Sequence, residues 1–199
     1  MTEKFSSKVI LNILINKKLV AFSTKLADAT VIIAITDEDE PKILLTRRSE
    51  TMTHHAGEVA LPGGRRENSD HSNQEVALRE IYEELGITSE KISFLGELPS
   101  QMSIGGLDVK PLVALIPPNL EFVLNHREVS KVFFMPLNYF MTQTVQPYTA
   151  KYPDGYFEVS SIHFDGEIIW GLTAKIILSL FETSLNYLKH WIFYSQEIA

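Results

Sequence analysis

The stretch Arg79-Glu80-Ile81-Tyr82-Glu83-Glu84-Leu85-Gly86-Ile87 constrains this chain most, because it follows closely on Leu61-Pro62-Gly63-Gly64. Wound as an α-helix, it gathers Glu80, Glu83 and Glu84 within an arc of about 100° and sets Leu78, Ile81, Tyr82 and Leu85 on the opposite side. Three carboxylates that close repel one another and resist joint ionisation near neutral pH. A hard divalent cation relieves the repulsion, and Mg²⁺ or Mn²⁺ prefers such oxygen ligands. Glutamates on a helix are more often a solvated face. The full string Arg-Glu-aliphatic-x-Glu-Glu-x-Gly-aliphatic, however, arises by chance in a chain of this length roughly once in 10⁵. The segment therefore predicts a metal-binding helix entered from a glycine turn.

Neighbouring elements follow from pattern and punctuation. Ser72 with Glu75 three residues later has capping-box spacing and opens the helix, which Gly86 closes. Residues 29–35 form an apolar, β-branched run of strand length. Asp37 to Pro41 turns the chain, and 43–46 returns as the second strand of a hairpin. A short strand at 59–61 ends at Pro62. Further strands are expected at 92–95, 109–116 and 132–135, with breaks at Gly105-Gly106 and Pro117-Pro118. Residues 157–159 and 162–164 are expected to pair as a hairpin leading to a strand at 168–170. Helices are expected at 5–16 and from 173 to about 189. Strands and helices mix without a βαβ rhythm, which makes the fold class α+β rather than a doubly wound sheet.

Charge and composition narrow the function classes. A formal charge of −7 over 199 residues argues against a nucleic-acid partner, which needs a basic surface. A small anionic ligand needs only local cations, and Arg47, Arg48, Arg65 and Arg66 flank the glycine turn. The apolar fraction of 45% supports a substantial core, and the lack of cysteine excludes disulfides, thiolate metal sites and cysteine nucleophiles. Val9-Ile10-Leu11, interrupted at Asn12 and Asn16, makes no signal-peptide core, and no apolar run reaches the roughly 18 residues of a membrane span. The expectation is a soluble, cytoplasmic protein with no membrane partner.

The string from Arg79 to Ile87 is similar to the second half of the Nudix box, and the chain resembles a Nudix hydrolase. Leu44-Leu45-Thr46-Arg47-Arg48-Ser49, followed by His55-Ala56-Gly57-Glu58-Val59-Ala60-Leu61-Pro62-Gly63-Gly64, is similar to the signature that precedes the box in coenzyme A diphosphatases. The extra residue between Gly64 and Arg79 is a feature of the same subfamily. Val109 to Val113, Ile116-Pro117-Pro118, Glu128-Val129, Met135-Pro136-Leu137 and Trp170 to Ala174 fall where that group carries similar residues. The likeness covers about 28–181 of what reads as one Nudix domain over 1–199, with helical additions at both ends.

The resemblance implies an α/β/α sandwich with a mixed sheet and a Mg²⁺ or Mn²⁺ cofactor. It implies a small nucleotide substrate, coenzyme A or acyl-coenzyme A, cleaved to 3′,5′-ADP and free or acylated 4′-phosphopantetheine. By the same resemblance Glu80 and Glu84 are the main metal ligands, and Glu83 either joins them or acts as base. The Gly64 carbonyl completes the metal shell, Gly63 shapes the turn, and Arg79 orients one glutamate through a bidentate pair. Glu128 stands at a position that often supplies a second carboxylate; the alternative is an exposed loop acid beside Arg127. Arg47 and Arg48 are candidates for phosphate contacts, one of them expected to be a surface cation. His55 either touches substrate or is a hydrogen-bonded structural histidine. A homodimer is left open.

Two departures bear on substrate. Thr53 stands where the subfamily signature has an arginine, which removes a cation suited to the 3′-phosphate of coenzyme A. Leu61 replaces a phenylalanine and alters packing only. Asp70 stands where the ordinary box has its first glutamate and is read as a helix-start acid rather than a ligand. Hydrolysis of ADP-ribose or another adenine dinucleotide is the alternative within the class. A non-catalytic, nucleotide-sensing module is the alternative outside it, and the intact set of three box glutamates counts against that reading.

Overall fold

The apolar run at 29–35 becomes strand β1 (Ala29–Thr36), in which odd and even residues alike are enclosed by protein. A strand covered on both faces reads as a continuous apolar run rather than as an alternation. The computed structural model describes residues 19–139, 146–152 and 155–181. Within them β1 is followed by β2 (Lys42–Arg48), β3 (Val59–Ala60), β4 (Gly63–Arg65) and helix α1 (Asn73–Leu85). Then come β5 (Ser93–Glu97), β6 (Gln101–Met102), β7 (Asp108–Ile116) and β8 (Val129–Pro136). Strands β9 (Gln146–Tyr152), β10 (Gly155–Phe164) and β11 (Glu167–Trp170) precede helix α2 (Gly171–Phe181).

Among the described residues, eight strands form a mixed sheet of central order β3-β2-β1-β7-β5, with β8 beside β2, β4 beside β1 and β6 beside β7. β1 and β7 run parallel from Ala29↔Val109 to Thr36↔Ile116, whereas β2, β4 and β5 pair antiparallel. Alternation along the strands divides the core. Ile32, Ala34, Leu44, Leu112 and Ala114 pack with Ala77, Ile81 and Leu85 of α1. Ile33, Ile35, Ile43, Leu45 and Val113 pack on the other face with Ile176, Ile177 and Leu180 of α2 and with Ile162 and Ile169. The result is the expected α/β/α sandwich, with a second sheet of order β11-β10-β9 beside α2.

The expected hairpin between 157–159 and 162–164 does not form. Both segments lie in the single ten-residue strand β10, because Ser160-Ser161 makes no turn and Ser161 Oγ donates to the Gln146 carbonyl of β9. The chain reverses instead at Asp165-Gly166, whose φ values of 49° and 79° suit the twist of a two-residue hairpin loop. β9 escapes sequence reasoning because Pro147 interrupts its pattern; β9 lies at the edge of its sheet, where a missing N–H is tolerated. The helix expected at 5–16 and the part of the C-terminal helix beyond 181 lie outside the described residues. Among the described residues, no helix is long and apolar enough to cross a membrane.

Candidate active site

Helix α1 is delimited as its sequence dictates. Ser72 accepts from the Glu75 N–H at 3.1 Å, and Glu75 reaches back to the His71 N–H at 2.7 Å. At the other end Gly86 takes φ 72° and donates to the Tyr82 carbonyl. The last carbonyls of the helix are covered by an extended segment: Val123 N–H donates to Leu85 O and Asn125 N–H to Glu84 O. Asn125 also accepts from the Arg127 N–H and donates through Nδ2 to Glu128 Oε1 at 3.0 Å. The end of α1 thereby fixes the turn that presents Glu128.

Burial on α1 differs from the pattern read off the sequence. Tyr82, expected on the apolar side, is 58% exposed, whereas Glu84, expected opposite it, is only 3% exposed. Glu84 and Glu80 border the buried stripe formed by Ala77, Ile81 and Leu85 instead of opposing it, and Glu83 remains half exposed. Burial is the main force pushing the Glu84 carboxyl up to about 8; Glu80 and Glu128 add to it, while Arg48 and the Gly63 N–H act against it. Glu80 is raised for the same first reason, opposed by Arg79 and reinforced by Glu83 and Glu128. Oε2 of Glu84 is buried without a hydrogen-bond partner, and so is Nε of Arg48.

The glycine turn lies against these acids. β4 pairs with β1 through Thr30↔Gly64 and Val31↔Gly63. A Cβ at Gly64 would come within 2.4 Å of the Glu80 carboxyl, and one at Gly63, where φ is 143°, within 2.3 Å of the Thr30 carbonyl. Gly63 therefore excludes a side chain, whereas one at Gly64 would displace the Glu80 carboxyl.

Arg79 organises the upstream side. It donates to both oxygens of Asp70 at 3.3 and 3.1 Å, to Glu80 at 2.9 Å, to Glu83 at 3.1 Å and to the Arg65 carbonyl at 2.8 Å. Its bidentate partner is thus Asp70 rather than a box glutamate. The bond to Asp70, and then Glu80, push the guanidinium above its ordinary value, against the effect of burial. Burial alone would raise Asp70, but its bonds to Arg79 and the Glu67 N–H, with the charges of Arg79 and Arg66, hold it below its ordinary value.

The two arginines of β2 separate. Arg48 carries its charge toward Glu84, whereas Arg47 pairs with Glu50 at 3.2 Å and Glu167 at 3.6 Å on the β11 side. His55 takes φ 57° and bonds through Nδ1 to Glu58 at 3.0 Å. That bond is the main cause that raises the imidazole above its ordinary value, followed by burial and Arg48 acting downward and the Glu58 charge upward. Thr53 is exposed in the same loop. The structure thus brings Glu80, Glu83, Glu84, Glu128, Arg48, Gly63 and Gly64 to one place and sets Arg47 apart. Among the described residues no three acidic or histidine side chains converge as a metal-ligand set; Arg79 donates to both Glu80 and Glu83.

Sequence reasoning read Asp70 only as a helix-start acid and did not foresee its pairing with Arg79; Asp70 is 6% exposed. The same reasoning missed Asn125 altogether. Asn125 holds Glu128; the signal for it was an Asn able to accept from the N–H two residues on, the Asx turn seen at Arg127.

Carboxylates beside a glycine turn, on the helix face of an α/β/α sandwich, are oxygen donors of the kind that a cation-assisted phosphoryl reaction uses. Comparison with known proteins specifies the class. The NUDIX domain family model matches residues 25–154. A protein of Photorhabdus laumondii, "Uncharacterized Nudix hydrolase NudL", is 40% identical over 153 residues, which make up 76% of this chain and 82% of that protein. Its namesake from Yersinia enterocolitica is 38% identical over 161 residues, 80% of this chain and 83% of the relative. The crystal structure of a MutT/nudix family protein from Enterococcus faecalis superposes with a TM-score of 0.50 at 17% identity, covering 94% of this chain and 73% of that one. The chain belongs to the Nudix family and is a Nudix hydrolase.

Proposed function

We propose that this Nudix hydrolase cleaves the pyrophosphate bond of coenzyme A or an acyl-coenzyme A, in the cytoplasm, to 3′,5′-ADP and free or acylated 4′-phosphopantetheine. The observation that carries the reading is Glu84: a buried carboxyl with an unpartnered oxygen, raised to about 8 and facing Glu80, Glu128 and Arg48 below the Gly63-Gly64 turn. Such a group fits a divalent cation, which favours its ionised form, and Gly64 leaves backbone open beside Glu80. A Mg²⁺ or Mn²⁺ ion on Glu80 and Glu84, with Glu83 or the Gly64 carbonyl, would place positive charge on the phosphoryl oxygens and acidify a water.

The remaining work falls to the chain itself. Arg79 stays anchored by Asp70 and the Arg65 carbonyl, independently of Glu80 and Glu83. Arg48, whose charge acts on Glu84, supplies a guanidinium for a phosphate beside the acids. Glu83 or Glu128 takes the proton of the attacking water as it bonds to one phosphorus. The bridging oxygen departs with the other phosphate, so that the anhydride yields two monoesters. Arg65 and Arg66 supply cations around the turn in the absence of an arginine at Thr53, and His55, whose protonation Glu58 favours, lies in the same loop as Thr53. The subfamily signature at 44–64 supports coenzyme A, whereas Thr53 favours a second reading, hydrolysis of ADP-ribose or another adenine dinucleotide. Incubation of the protein with coenzyme A and Mg²⁺ or Mn²⁺, with products separated by chromatography, tests the proposal: 3′,5′-ADP and 4′-phosphopantetheine are expected in equal amounts. Intact coenzyme A beside cleaved ADP-ribose would select the second reading.

A further inference from the structure

Glu167 is a buried carboxylate for which the reaction has no use. It opens β11, beyond the segment matched to the family, and is only 5% exposed. Its Oε1 accepts from Lys131 Nζ at 2.9 Å, and its Oε2 lies 3.6 Å from an Arg47 nitrogen. Arg47 extends further and donates to Glu50 Oε1 at 3.2 Å. Glu50 in turn fills the space that Gly57 leaves: a Cβ there would meet Oε1 at 2.5 Å. Gly57 takes φ 70°, where a side chain is strained in any case. A line of charged contacts thus runs from β11 through β2 into the β2–β3 loop, which carries Thr53 and His55.

We propose that Glu167 is a positioning residue: through Arg47 and Glu50 it sets the conformation of the loop at 49–58, so that the three-stranded sheet controls how tightly substrate is held. The proposal rests on the hydrolase reading only for the role of that loop. The bonds within the loop are all between residues two or three apart: Met52 N–H to Ser49 O and Glu58 N–H to His55 O at 3.2 Å, Thr51 N–H to Ser49 Oγ at 3.4 Å, Ser49 Oγ with Thr51 Oγ1 at 2.8 Å and His55 Nδ1 with Glu58 at 3.0 Å. Ordering an exposed loop costs conformational entropy, so a tie from outside decides its shape. Glu167 is committed to that role, because releasing Arg47 would leave a buried carboxylate with less compensating charge. This also explains why Arg47 and Arg48, adjacent in sequence, do different work: Arg48 faces the acids and Arg47 braces the loop.

The test uses Glu167→Gln and Glu50→Gln in the full chain. Glutamine keeps the size and removes the charge, and Glu50 is exposed, so the second variant stays decisive should the first destabilise the whole molecule. Backbone amide exchange at Met52 and Glu58 is expected to quicken at least about fivefold in both variants, with Ile81 and Leu85 of α1 unchanged. KM for the nucleotide that the wild type hydrolyses should rise about fivefold while kcat stays within about twofold. The double variant should do no more than the stronger single one, since both changes cut the same line. Unchanged loop exchange in Glu50→Gln, or fully additive effects on KM, would overturn the proposal. The exchange measurement needs no substrate, so a protein that cleaves none of the nucleotides tested would count against the functional reading alone.

Discussion

Glu84 ionises near 4.5 in an unfolded chain but only at about 8 in the fold, so between those values the native state holds a proton that the unfolded state has lost. Stability attributable to this group therefore declines as pH rises through that window, and above it the penalty is complete, on the order of a few kcal/mol. A cation bound to the ionised form offsets the penalty, which gives a buried acid its value in a hydrolase. Glu84→Gln imitates the protonated carboxyl. It should fold normally, melt higher than wild type at pH 9 in the absence of divalent ions, and show a smaller fall in Tm between pH 6 and 9. Its turnover with Mg²⁺ should drop about 100-fold or more, as when a group that stabilises transition-state charge is lost. A variant that turns over like the wild type would remove Glu84 from the chemistry. A Tm profile parallel to that of wild type would show that burial does not hold the carboxyl neutral.

Helix α1 works as a unit because each end is tied to a loop with a role in the site. Upstream, Asp70 holds Arg79 nine residues on; downstream, the 123–125 segment closes the helix and steadies Glu128. Asp70→Asn keeps the shape but surrenders the charge that fixes the guanidinium, leaving Arg79 to neutralise Glu80 and Glu83. Turnover should fall about tenfold with little change in KM, as for loss of a group that orients a ligand. Equal kcat in the variant, measured on the same substrate, would reduce Asp70 to a structural acid. The limits of this helix were legible in the sequence, because Ser72 and Gly86 act on their own neighbourhood. The partner of Arg79 was not, because Asp70 lies before the helix, in a turn whose shape is fixed by its own bond to the Glu67 N–H rather than by helical spacing. The helical wheel also misjudged Tyr82 and Glu84: it ranks positions by polarity, and this site needs a carboxylate where polarity alone would exclude one.

Across the whole molecule, strands buried on both faces made the central sheet easy to read, since 29–35, 43–46 and 109–116 each stand out as apolar runs. The second sheet was harder. Its edge strand contains Pro147, and β10 alternates too weakly to reveal that its two apolar patches are one strand. The acids of the site were visible as a string of residues, but the separation of Arg47 from Arg48 was not. It arises from strand alternation together with the register shift between those two residues where β2 meets β8. Recognition of coenzyme A draws on the whole molecule, because cations contributed by several elements must serve in place of one missing arginine. The most direct test is kcat/KM for coenzyme A beside that for 3′-dephospho-coenzyme A, under the same Mg²⁺ or Mn²⁺ concentration. Cleavage of both is expected, with a larger value for coenzyme A. A preference for the dephospho form would contradict that expectation, leaving a Nudix hydrolase whose site does not read the 3′-phosphate.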